Sequence, residues 1–283
     1  MKKTALYLLA VAALGAGAAF AQTAVVEAVQ YPAWLERGGA AVPLAPGTTL
    51  QPADRLRTGA NARVQLKMAE GSAVKLGENA QFSIDKSESR GVFRATLSVL
   101  SGAFRFTTDA LRKSQKREIS INVKNVTAGI RGTDLWGKST DERDLVCLLE
   151  GKIAVGSEGH PTVTLDQPLD FYQKPRGGAP AVAKVDQKQI EIWSKETEIS
   201  KDGPAARVGG KWRVTAEILP SRDAALALNR TLRTSGYPSE VGTRGAEFTV
   251  FIRGIAGEPE ARALMANLRN VKGVGIPTIS EGP

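Results

Sequence analysis

The chain is poor in the side chains that carry most enzyme chemistry. It holds one cysteine and one histidine in 283 residues. Cys147 cannot form a disulfide within the chain, so stability must come from packed cores. It lies in the apolar run Leu145 to Leu149, which reads as a buried small hydrophobe; the competing reading is a reactive thiol. His160 alone builds neither a His-based relay nor a His-rich metal site. The acids are scattered, and no spacing points to a carboxylate pair of the kind that cleaves glycosides. No catalytic residue, metal ligand or cofactor is therefore expected, and the chain does not read as an enzyme. After residue 21 no stretch is apolar enough to span a bilayer.

What is present begins with the leader. Lys2 and Lys3 precede an uncharged, mostly apolar run from Ala5 to Phe20, closed by Ala19-Phe20-Ala21. A basic start, a short apolar core and a small-x-small ending are the parts of a secretory signal peptide, here residues 1–21. A retained membrane anchor is the alternative, but the run is short and rich in Ala and Gly. The expected location is the periplasm. The formal net charge is +9. In an exported chain that favours wall polymers, lipid head groups or acidic proteins over nucleic acid.

From Ala24 to about Asp170 the apolar period is two. Val64, Leu66 and Met68 alternate with polar residues, as do Phe93, Ala95, Leu97 and Val99, and then Ile119, Ile121 and Val123. Each set is one face of a half-buried strand. Turn signals such as Pro46-Gly47, Glu70-Gly71, Ser101-Gly102 and Glu150-Gly151 separate the strands. The pattern predicts an all-β roll, sandwich or barrel over 24–170. Thr107 to Arg117 breaks the rhythm with Arg112, Lys113, Lys116 and Arg117, either as a solvated loop or as a basic contact surface. Residues 171–210, with Lys174-Pro175-Arg176-Gly177-Gly178, read as a linker. A short helix is placed at Gln187 to Thr197, with Ile190, Ile192 and Trp193 as its apolar positions.

From Lys211 the pattern becomes mixed. Trp212, Val214, Ala216 and Ile218 alternate as a strand. Ser221 caps a helix carrying Ala225, Leu228 and Leu232, which Gly236 stops. Ser239 to Val241 and Phe248 to Ile252 are strands, Gly257-Glu258-Pro259 opens a second helix, and Val271 to Ile279 supplies a last strand. The order β-α-β-β-α-β over 211–283 makes an antiparallel sheet with both helices on one face. The RNA-binding RRM shares this order, but its aromatic signature strand is absent.

Two resemblances follow from quoted motifs. Pro46-Gly47-Thr48-Thr49-Leu50-Gln51-Pro52-Ala53-Asp54-Arg55-Leu56-Arg57-Thr58-Gly59 resembles the FecR opening "PGxxLxxGDxVxTG", with Ala53 where Gly is usual. Arg63 to Leu76 resembles its strand-turn-strand repeat. Thr127 to Leu135, with Arg131-Gly132-Thr133, resembles "TPxAxxxVRGTxF", and Leu149 to Val155 resembles "LEGxVxV". In that box Gly132 permits a tight bend. Arg131 is read either as a clamp on neighbouring carbonyls or Asp134, or as a ligand group. The best-known FecR members carry a membrane helix and control a sigma factor; this chain shows neither segment, so that role is not carried over.

The C-terminal unit resembles SPOR domains, which bind peptidoglycan glycan lacking stem peptides. Trp212-Arg213-Val214-Thr215, Ser221 to Ala225, Gly236-Tyr237-Pro238-Ser239-Glu240-Val241, Glu247 to Ile252 and Glu258 to Ala261 carry the resemblance. Where the family often has "VQxGSF" and "GPF", this chain has Val214 to Leu219 and Arg253-Gly254-Ile255. With the apolar set facing the helices, the open face carries Arg213, Thr215, Glu217, Thr249, Phe251 and Arg253. These are the candidate glycan-binding residues, Phe251 as an exposed apolar surface and the others as hydrogen-bonding groups. The resemblance implies a non-enzymatic periplasmic binder of peptidoglycan, its FecR-like domain a scaffold or a platform for an envelope protein. The alternative is a regulatory protein-interaction module without glycan binding.

Overall fold

In a computed structural model the described residues are 23–108, 117–130 and 132–282; the side chains of Ser89 and Arg90 are not among them. The leader and residues 109–116 of the basic segment 107–117 lie outside the described residues.

The alternation in the sequence becomes strands, because burying one face of each is what the apolar period supports. Val64, Leu66, Met68, Phe93, Ala95, Leu97, Val99, Ile119, Ile121 and Val123 are all buried. The strands form two sheets around a shared core. In one sheet, the neighbours in order are Ala40–Pro43, Ala33–Arg37, Arg55–Thr58, Gln81–Arg90, the first half of Val92–Thr107, Arg117–Val123, Val126–Ile130, Ile153–Ser157 and Val163–Leu165. In the other they are Ala181–Lys184, Asp170–Pro175, Arg143–Glu150, Asp134–Ser139, the second half of Val92–Thr107, Ala73–Leu76, Arg63–Met68 and Ala24–Gln30. The long strand Val92–Thr107 thus serves both sheets. It crosses between them at Gly102, which has φ +82° and so little room that a Cβ would stand 2.5 Å from the Ala80 Cα. Among the described residues one pairing is parallel, Val92–Thr107 with Arg117–Val123, and the others are antiparallel.

The stretch 171–210 differs from the linker reading. Asp170–Pro175 and Ala181–Lys184 extend the second sheet. Helix α1 (Gln187–Lys195) forms where the short helix was expected, capped by the Asp186 side chain on the Gln189 N–H. Its Trp193 stacks on buried Trp136, with centroids 4.4 Å apart and planes 3° apart. Ile190 is buried, but Ile192 is exposed. Beyond α1, Glu196 and Glu198 pair with Lys138 and Lys75 at 2.8 and 2.6 Å. Arg176, in the Pro/Gly-rich run, pairs with Asp144, whose side chain is fully buried, and also donates to the Thr140 carbonyl. A composition that suits a linker is here held down by ion pairs and one aromatic stack.

The C-terminal unit has the expected order. Trp212–Leu219, α2 (Arg222–Thr234), Glu240–Arg244, Glu247–Ile255, α3 (Glu258–Leu268) and Thr278–Glu281 follow one another. The last strand is shorter than expected, and Val271 to Pro277 form a loop. The sheet runs Thr278–Glu281, Trp212–Leu219, Glu247–Ile255, Glu240–Arg244, all antiparallel. Ala225, Leu228 and Leu232 of α2 and Ala261, Leu264 and Leu268 of α3 share one core with Val214, Ala216, Val250 and Ile252.

The two units do not hang on a free tether. The three-residue strand Ala205–Arg207 pairs with Ala24–Gln30 on one side and touches Glu247–Ile255 on the other. At the turn after α2, Gly236 accepts a hydrogen bond from the Ala33 N–H, and Trp34 Nε1 donates to the Thr234 carbonyl at 3.0 Å. Tyr31 and Tyr237 meet with ring centroids 6.1 Å apart.

Candidate ligand-binding face

The face of the C-terminal sheet away from its helices gathers most of the expected residues. Thr215 lies opposite Phe251 on one side and Thr278 on the other. Glu240 is the neighbour of Phe251 on the next strand, and Gly242 that of Thr249. Arg213 places its guanidinium 4.3 Å from the centre of the Phe251 ring. Such stacking over an aromatic face is electrostatically favourable. Exposed Arg253 pairs with Glu240 at 2.8 Å. Gly242 leaves room for the ring: a Cβ there would stand 3.1 Å from a Phe251 edge carbon.

Two expectations change. Phe251 is on this face but only 9% exposed, because Arg213 covers it; it is not an open apolar surface. Glu217 leaves the face. The register shifts between Thr215 and Glu217, so Glu217 stands opposite buried Val250 and Ile218 opposite Thr249. A bulge puts one extra residue in a strand and re-aims those after it. The Glu217 carboxylate accepts the Ile218 N–H at 3.0 Å and lies against Gly275. The face therefore holds Arg213, Thr215, Thr249, Phe251 and Arg253, with Glu240 and Ile218 added. Glu240 was missed because it opens a short strand whose register the sequence does not specify.

In the β domain, the residues of the quoted motifs do structural work. Gly132 has φ +73°, the conformation its type suits. Arg131 lies outside the described residues. Asp134 is held by Arg105, whose Nε and Nη2 donate at 3.0 and 2.7 Å, and by Thr107. Buried Asp54 accepts from Arg37 at 2.7 and 2.5 Å and from the Gln51 N–H at 2.8 Å. The shared hydrogen bond with Asp54 raises the Arg37 pKa above its ordinary value. Ala53 adopts φ +71°, a conformation that favours glycine. The His160 ring hydrogen-bonds, among the described residues, to Ser157 and Glu158 of its own turn. Cys147 is buried, and desolvation pushes its thiol up to about 12. No group of three metal-ligating side chains is found, and no helix is long and apolar enough to cross a membrane, among the described residues.

By its fold the chain is a two-sheet β domain joined to a small antiparallel α+β sheet. Residues 54–154 match the family described as FecR protein, and this stretch is a FecR domain. The match leaves the C-terminal unit outside it. Among curated proteins none matches the sequence. Two crystal structures of a candidate anti-sigma factor from Parabacteroides distasonis are similar at a TM-score of 0.43 each. The first is 12% identical and aligns over 62% of this chain and 73% of its own. The second is 11% identical and aligns over 76% and 89%.

Proposed function

We propose that the chain is a non-enzymatic protein of the periplasm that binds peptidoglycan glycan through its C-terminal sheet, with the FecR domain as scaffold or partner platform. The observation that carries this reading is the open face. A planar guanidinium stacked on Phe251 is flanked by Thr215, Thr249 and the Arg253–Glu240 pair. Sugars are recognised by hydrogen-bonding groups set beside a flat surface, and the planar Arg213 guanidinium, backed by the Phe251 ring it covers, supplies both. The β-α-β-β-α-β order and its resemblance to SPOR domains support the same reading.

The test is sedimentation of the full chain with purified sacculi stripped by amidase. Arg213→Ala and Arg253→Ala are expected to weaken binding, while Lys67→Ala, in the β domain, leaves it unchanged. Binding that ignores both face substitutions refutes the site. A second reading, a protein-interaction module without glycan binding, is favoured by one observation: Phe251 is closed beneath Arg213 rather than open to a sugar ring. Recovery of a stoichiometric envelope protein by the chain, with no retention on sacculi, supports that module.

A further inference from the structure

Beside the open face lies a cleft of about 780 Å³ whose walls come from both units. The β domain contributes Tyr31 and the Ala45-Pro46-Gly47 turn. The C-terminal unit contributes Pro238, Glu240, Arg253 and the end of its last strand, and the connection Arg207 to Lys211 runs between them. Arg253 and Glu240 line the cleft and also belong to the sheet face, so the two surfaces are continuous.

The chemistry of the cleft is specific. Arg207 and Lys211 are exposed, and neither side chain forms a hydrogen bond or ion pair among the described residues. Glu240 is already neutralised by Arg253, which leaves Glu281 as the counter-charge at the rim and the cleft net positive. Apolar surface lines the same cleft: Val208 is 66% exposed, and Pro46 and Pro238 are also in its walls. The Tyr31 hydroxyl, buried behind the same wall, has no hydrogen-bond partner among the described residues. Unpaired cations beside small apolar surfaces suit a ligand with a carboxylate on a ring-bearing scaffold.

We propose that this cleft binds the carboxylate of an acidic sugar, and that the glycan site is therefore completed by the β domain rather than contained in the C-terminal sheet. The inference rests on the glycan reading and names its acidic subsite: glycan stripped of stem peptides carries a free lactyl carboxylate on every second sugar. Arg207 and Lys211 hold that carboxylate while the neighbouring sugar lies along the face at Arg253.

The test titrates the full chain with a tetrasaccharide cut from amidase-stripped sacculi, and with the same saccharide after reduction of its carboxylates to alcohols. The wild type is expected to bind the intact saccharide on the order of tenfold more tightly than the reduced one, the scale of one or two charge-assisted contacts. The double variant Arg207→Gln with Lys211→Gln, checked for an unchanged melting curve, is expected to bind both with the weaker affinity. Equal affinity of the wild type for the two saccharides overturns the subsite and leaves the glycan reading standing. So does a preference that survives the double substitution. Failure of the wild type to bind either saccharide overturns both.

Discussion

Replacing Gly236 by Ala tests whether the two units are fused as described. Gly236 ends α2 with φ +85°, where an L side chain costs about 1–2 kcal/mol. A Cβ there would also stand 2.8 Å from Trp34 Cε2 and Cζ2 and 2.9 Å from Pro32 Cβ. These atoms belong to the β domain, so relief requires the turn to move away from it. Such movement strains the hydrogen bond from Ala33 to Gly236 and the one from Trp34 Nε1 to Thr234. Each is worth roughly 1 kcal/mol. The sum is a destabilisation of about 3–4 kcal/mol, or roughly 6–16 °C in Tm for a chain of this size. Gly245→Ala is the matched control. It also has a positive φ, +61°, but nothing lies within 4 Å of its added methyl. It should lose only the backbone term, about 1–2 kcal/mol. Denaturant unfolding followed by the summed fluorescence of the four tryptophans, Trp34 among them, measures both. If Gly236→Ala costs no more than Gly245→Ala, the contact between the units is not as described.

Three further outcomes are expected. Ala53→Gly should stabilise the chain by about 0.5–1 kcal/mol in urea unfolding, since relief of the left-handed strain exceeds the entropy glycine adds to the unfolded state. Arg176→Ala should cost about 3 kcal/mol by the same measurement, because it leaves the Asp144 carboxylate buried without its cation; a loss under 1 kcal/mol refutes the clamp. Cys147, with its thiol at about 12, should resist an alkylating reagent at pH 8 in the native chain and react once the chain is unfolded in guanidinium. Its thiolate fraction rises only as pH approaches that value, so raising the pH to 9 should not restore native-state labelling.

The legible part of the fold was the part where one face of an element is buried. Phe93 to Val99 and Ile119 to Val123 showed their period because one face of each strand packs into the core. Ser221, Gly236 and Pro259 marked helix ends through local chemistry that needs no partner. Pairing across distance left no such trace. Nothing near Ala205 announces that three residues bridge two sheets, and nothing in Lys174 to Gly178 announces that Arg176 reaches Asp144. The candidate face was legible as far as strict alternation holds. The bulge after Thr215 breaks it, which is why Glu217, expected on the open face, and Ile218, expected in the apolar set facing the helices, were each placed on the wrong side. Phe251 was placed correctly, but its covering by Arg213 is a side-chain contact that period alone does not contain.

The most direct test of the central claim is retention of the full chain on amidase-stripped sacculi against unstripped sacculi, across a range of salt. The account predicts stronger retention on the stripped material that persists at moderate ionic strength, where long-range charge attraction is screened. Equal retention on both, or retention abolished by modest salt, contradicts it and reduces the interaction to the chain's positive charge.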